Sequence, residues 1–126
     1  MPNNVFLGKD GLVHCILDGG QSSDKLGLII AETEKLMRVL REEKKPVLIL
    51  VDLTRIANAS IDARNLMANA MERNLFDKVA IFGASAFVRH AGKLLIFGSR
   101  KAEQVRFFSS EAEAKNWLLQ EPTPGK

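Results

Sequence analysis

Apolar residues run continuously or alternate in some stretches of this chain and recur every three to four positions in others, and the changes of period divide it into elements. NVFLGKDGLVHCILDG predicts two short strands, about 4–8 and 11–17, joined by the turn Gly8-Lys9-Asp10-Gly11, whose glycines supply the positive φ of tight hairpins. GGQSSDK closes the hairpin, and Ser22 or Ser23 caps a helix with Asp24 in its first turn, at the positive end of the helix dipole. Leu26, Ile29, Ile30, Thr33, Leu36, Met37 and Leu40 form the buried face of that helix, which ends before Pro46 in the charged run REEKK.

PVLILVDL is an unbroken apolar run rich in branched residues, the mark of a strand covered on both faces. Ser60 caps a second helix over about 61–74, with Asp62 in its first turn. KVAIFGA repeats the buried-strand pattern, and Ser85 opens a third helix over about 86–98. QVRFF is a last strand, after which Ser110 and Glu113 stand at the spacing of a capping box before AKNWLL. The predicted order is β-β-α-β-α-β-α-β-α: a mixed, mostly parallel five-stranded sheet with four helices and one antiparallel hairpin at its start. A single α/β domain over 1–121 is expected, followed by a flexible tail at 122–126.

Composition narrows the class without naming a role. With 126 residues, 46% hydrophobic and 26% charged, the chain suits one globular domain. One cysteine, Cys15, cannot close a disulfide within the chain, so a reducing cytoplasm is expected. No run approaches the roughly 18 apolar residues of a membrane span, and MPNNVFLGKDG lacks the build of a signal peptide. The net charge of +3 is too small to point to nucleic acid, but it is unevenly placed. Residues 1–77 hold ten basic and eleven acidic side chains, whereas 78–102 hold Lys78, Arg89, Lys93, Arg100 and Lys101 and no acid.

VLILVDLTRI at 47–56, KVAIFGAS at 78–85 and KAEQVRFFSSEAEAKNWL at 101–118 resemble, in this order, the SpoIIAA-like family of STAS domains, which share a fold with the CRAL-TRIO lipid carriers. The last piece is the most specific of the three. The resemblance implies action through protein contacts rather than catalysis. In the sporulation anti-anti-sigma relatives the loop after the third strand carries a D-S-S-G motif with a phosphorylated serine. Here Ser60, Ile61, Asp62 and Ala63 fall there, with Asp62 at the modified position, so the kinase switch is not carried over.

Two regions are candidates for contact. The first is the loop holding Asp52, Thr54, Asn58, Ser60 and Asp62, at the carboxyl end of a strand where open α/β sheets place their ligands. Ser60 as a helix cap, Asp62 as a first-turn acid and Asp52 as an acceptor of backbone NH groups are the plainer roles. The second is the helix at 86–98, where Val88, Ile96 and Phe97 extend apolar surface beyond the face of Phe87, Ala91, Leu94 and Leu95, beside Arg89 and Lys93. A homodimer contact or deeper core packing explains that excess ahead of an apolar or lipid-like ligand, since apolar helix faces mostly bury protein. His14 and His90 have no second ligand at i+4, and His14 and Cys15 point to opposite faces of a strand, so neither a metal nor a catalytic dyad is expected. The faint phosphate-loop look of FGAS is read as backbone geometry at Gly83, and no cofactor is expected.

Overall fold

A computed structural model of the chain describes residues 3–73, 76–83 and 102–120. The helix expected at 86–98, and with it Phe87, Val88, Arg89, Lys93, Ile96 and Phe97, lies outside the described residues, as does the tail. Strands β1 (Asn4–Leu7), β2 (Val13–Gln21), β3 (Leu48–Ala59), β4 (Lys78–Phe82) and β5 (Val105–Phe108) form one sheet in the order β1-β2-β3-β4-β5. β1 is antiparallel to β2, and the remaining neighbours are parallel. The helices are α1 (Ser23–Glu42), α2 (Ile61–Arg73) and α3 (Glu111–Leu119).

The period of two along each strand sorts side chains between two cores. Val13, Cys15 and Leu17 of β2, Ile49, Val51 and Leu53 of β3, and Val79 and Ile81 of β4 face α1 and α2 in the larger one. Leu50, Ala80 and Phe82 face the other way and meet Leu12 and, from α3, Ala114 and Leu118. PVLILVDL is therefore covered on both faces, as its unbroken apolar run requires.

The expected caps are in place. Ser22 Oγ accepts from the Lys25 NH at 3.1 Å, and Ser110 Oγ accepts from the Glu113 NH at 3.2 Å. Ser110 Oγ also donates to the Glu113 carboxylate at 3.1 Å, so the pair closes through side chains instead of through the Ser110 NH. α3 is further held at its end by Lys78, whose Nζ donates to the carbonyls of Trp117 at 2.9 Å and Gln120 at 3.3 Å.

Two boundaries move. β2 was expected to end before the glycine pair at 19–20, and β3 near Asp52, but both strands run on. Asp18 pairs with Arg55, Gly19 with Ile56 and Gln21 with Ala59, while β4 leaves β3 at the Asp52–Phe82 pair. Gly19, at φ 75°, absorbs an irregularity in the register instead of turning the chain. The result is a two-stranded parallel extension that carries the start of both following helices away from the rest of the sheet.

The Gly8–Gly11 turn holds an arrangement the sequence did not suggest. Asp10 accepts from the Leu12 NH at 3.0 Å, and its two carboxylate oxygens lie 3.1 and 3.0 Å from His14 Nε2. Because a carboxylate only accepts, Nε2 carries the proton. The His14 ring stacks on Phe6 with centroids 4.8 Å apart, and Lys115 of α3 sits 3.6 Å from Asp10. Burial pushes the Asp10 carboxyl up, but the Leu12 NH, His14 and Lys115 outweigh it and hold the carboxyl below the ordinary 3.8. A group whose pKa is lower folded than unfolded adds stability above its unfolded value and loses it as pH falls through the folded one. Stability followed by urea unfolding is thus expected to drop on acidification below about 3.8, and less steeply in Asp10→Asn; equal slopes would contradict this role.

Candidate functional site

β3 rises about 3.3 Å per residue, so the six steps from Asp52 to Asn58 span about 20 Å, and the five candidate side chains do not form one cluster. Asp52 and Thr54 form one group. Asp52 Oδ1 accepts from the Thr54 NH at 2.8 Å and from Thr54 Oγ1 at 2.6 Å, which is the backbone-bonding role expected for it. Their position is not the end of the strand but the point where β4 departs. There Gly83, at φ 81°, packs so closely that a Cβ would stand 2.3 Å from Thr54 Cγ2 and 2.9 Å from its backbone nitrogen.

Asn58 and Ser60 form the second group, at the far end of the extension. They share an open recess with Gly20, Gln21 and Ser22. The Ser60 NH donates to the Gln21 carbonyl at 3.1 Å, which fixes the start of α2 beside the start of α1. Ser60 Oγ accepts from the Ala63 NH at 3.0 Å and is the cap that was expected. Ser60→Ala should lower stability by about 1 kcal/mol in thermal or urea unfolding, and Ser60→Asp should retain most of it; an alanine variant as stable as the parent would deny the cap. Asp62 is exposed in the first turn of α2, beside Ile61, which is 69% exposed.

The recess is backed by a polar network that local sequence does not reveal. Gln21 is 3% exposed, and its amide pairs reciprocally with that of Asn3. Asn3 Nδ2 donates to Gln21 Oε1 at 2.7 Å, and Gln21 Nε2 donates to Asn3 Oδ1 at 2.9 Å. Gln21 Nε2 also donates to the Asp18 carbonyl at 3.1 Å, and Asn3 Oδ1 accepts from the Asp18 NH at 2.9 Å. Lys25 Nζ donates to the Asp18 carbonyl and, at 3.3 Å, to that of Gly20, which ties the start of α1 to the irregular end of β2. Asp18 lies 3.8 Å from Arg55 across the extension. A Cβ on Gly20 would meet Asn58 Oδ1 at 2.9 Å, so glycine is what lets the Asn58 amide lie over the neighbouring strand.

Gly20, Gln21, Ser22 and Ala59 line this recess without having been singled out from the sequence as contact residues, and the exposed Ile61 follows Ser60 in the chain. The signal was present as a repetition: GGQSS before α1 and ANAS before α2 are successive loops of a parallel sheet, and such loops emerge at the same edge. Chemically, the rim offers amide and hydroxyl hydrogen-bonding groups on an exposed surface. Among the described residues no group of three His, Cys, Asp or Glu side chains could hold a metal ion, and no helix is long and apolar enough to cross a membrane.

Comparison with solved structures gives the architecture its class. An uncharacterized protein of the DUF3478 family from Shewanella loihica PV-4, with a SpoIIAA-like fold, superposes with a TM-score of 0.65 at 17% identity, over 92% of this chain and 91% of its own. The anti-sigma factor antagonist SpoIIAA, in its unphosphorylated form, superposes with a TM-score of 0.61 at 14% identity, over 92% and 96%. The fold is thus SpoIIAA-like, as the three sequence pieces suggested. A family model described as "Domain of unknown function (DUF7793)" matches residues 6–121, and the chain belongs to that family. No curated protein matches it.

Proposed function

We propose that the chain is a non-catalytic regulatory module that acts by protein contact through the rim at the end of the β2–β3 extension. The observation that carries this reading is the convergence of Asn58 and the two helix starts, Ser22 and Ser60, on one open recess, with the exposed Ile61 following Ser60. An exposed aliphatic side chain in sequence beside amide and hydroxyl groups combines the apolar and polar elements that contact patches use. The likeness to a fold whose named example antagonises an anti-sigma factor, itself a protein, supports the same reading. A phosphorylation switch forms no part of it, since Ser60-Ile61-Asp62-Ala63 lacks the motif. A cytoplasmic setting suits the buried free thiol of Cys15.

The partner is a second copy of this chain or another protein, and one experiment separates them. A photo-crosslinking amino acid replaces Ile61 or, as the control, Leu28, an α1 residue 73% exposed. Irradiated in the native cell, position 61 is expected to give a discrete adduct that position 28 does not and that Asn58→Arg abolishes. Its mass shows a homodimer or a different partner. Equal labelling from both positions, or no adduct from 61, would reject the rim as the contact surface.

A further inference from the structure

Among the described strands none lies beyond β1, and the ladder to β2 fixes which of its backbone groups face that open side. The Gly8 NH donates to the Leu12 carbonyl at 2.9 Å, and from there the register runs without a shift through Leu7–Val13, Phe6–His14, Val5–Cys15 and Asn4–Ile16. Hydrogen-bonded and non-hydrogen-bonded pairs alternate in an antiparallel ladder. Asn4 and Phe6 therefore turn their NH and carbonyl groups toward β2, and Val5 and Leu7 turn theirs outward.

The side chains alternate as well. Val5 packs on the larger core, Leu7 shares its face and is 40% exposed, and Phe6 stands on the opposite face, 42% exposed. The Phe6 ring is nearly parallel to that of His14, with centroids 4.8 Å apart, which is the spacing of neighbouring strands. His14 thus covers one face of the ring, and the other looks past the edge of the sheet. The two edges of the sheet differ in charge. β5 carries Arg106, so pairing two copies of β5 brings like charges together. β1 carries neither a charged side chain nor a proline, two of the devices that keep edge strands from pairing.

We propose that β1 is the contact strand of a homodimer, in which a second copy adds its own β1 antiparallel about a two-fold axis at Phe6 and continues the sheet. In this register Val5 lies opposite Leu7 of the second copy, so each outward NH meets an outward carbonyl. Phe6 lies opposite Phe6 as a non-hydrogen-bonded pair, the closer kind, and the His14–Phe6 stack runs on through the axis into its copy. The axis sets no like charges face to face. Any extended strand offers backbone groups, but this edge asks for an aromatic residue at the centre with aliphatic residues on either side. β1 itself has that sequence, which makes the surface self-complementary. The proposal uses residues other than those of the rim and stands without the contact reading above.

The test combines cross-linking with size. Val5→Cys mixed with Leu7→Cys sets two thiols on directly opposite residues, whose Cα atoms, about 5.5 Å apart, suit a disulfide. Within either variant alone the two new cysteines are out of register, beyond the roughly 7 Å that a disulfide spans. Mild oxidation is expected to link the mixture into a covalent dimer and to leave each variant alone, and the parent with its buried Cys15, unlinked. In sedimentation across a dilution series the parent is expected to pass from dimer to monomer. Phe6→Lys, which opposes two cations at the axis, is expected to raise the dissociation constant at least tenfold in a protein that circular dichroism shows to be folded. Should that variant not fold, hydrogen exchange of the parent decides. The Val5 and Leu7 amides are expected to lose protection on dilution, whereas that of Phe6, bonded to β2, keeps it. A parent that is monomeric at every concentration, a variant that links alone as readily as the mixture, a folded Phe6→Lys that dimerises like the parent, or Val5 and Leu7 amides indifferent to dilution would overturn the proposal.

Discussion

Gly83→Ala is expected to lose about 3 kcal/mol of stability, a shift of about 2 M in the urea midpoint for a chain with a slope near 1.5 kcal/mol/M. Two effects add. At φ 81° any L side chain is strained, by roughly 1–2 kcal/mol. The new Cβ also lands 2.9 Å from the Thr54 backbone nitrogen and 3.1 Å from its Cα, atoms that cannot rotate away, and forcing such a contact costs a further 1–3 kcal/mol or so. Gly11→Ala supplies the comparison. Its φ is 83°, and a Cβ there meets nothing within 4 Å, so only the conformational part, about 1 kcal/mol, should be lost. If the two variants unfold at the same midpoint, the approach of β4's end to Thr54 is not as close as described.

The second large effect concerns α3. Leu118 is 1% exposed and packs in one cluster with Leu12, Leu50, Ala80, Phe82 and Ala114, and Leu118→Ala should cost about 3 kcal/mol, within the range for buried leucines. Nine residues are too few to stay helical in water without docking, so removing the anchor releases the helix as a unit. The chain's one tryptophan reports that event directly. Trp117 lies 5.7 Å from the Phe108 ring, with Lys78 Nζ 5.1 Å and Arg106 5.3 Å from its centroid. In Leu118→Ala its emission is expected to move to longer wavelength at lower urea than the loss of far-ultraviolet circular dichroism from α1. Coincident transitions would mean that α3 comes off only when the whole domain unfolds.

What could be read from sequence followed from how local each determinant is. Caps at Ser22, Ser60 and Ser110 depend on residues three apart, and the buried strands PVLILVDL and KVAIF declare themselves by composition, so these emerged at nearly their true places. The β2–β3 extension did not, because glycines at 19 and 20 look like a turn until Arg55, Ile56 and Ala59 are known to lie alongside. The same holds for the site. The roles of Asp52 and Ser60 are settled within three residues of each, whereas Asn58 became part of a recess only through Gly20 and Gln21, some forty positions earlier. Asp10 and His14 are four apart, a spacing that suggests nothing in a hairpin until the turn folds one onto the other.

The tie between Lys115 and Asp10, with Leu118 and Leu12 in one buried cluster, joins the last described helix to the first hairpin. During synthesis from the amino terminus, the contacts of Leu12, Leu50, Ala80 and Phe82 with Ala114 and Leu118 therefore form only once α3 has left the ribosome. A nascent chain stalled after β5 lacks those contacts, so the apolar area that α3 buries is still without its native cover, the state in which a chaperone or a protease meets it.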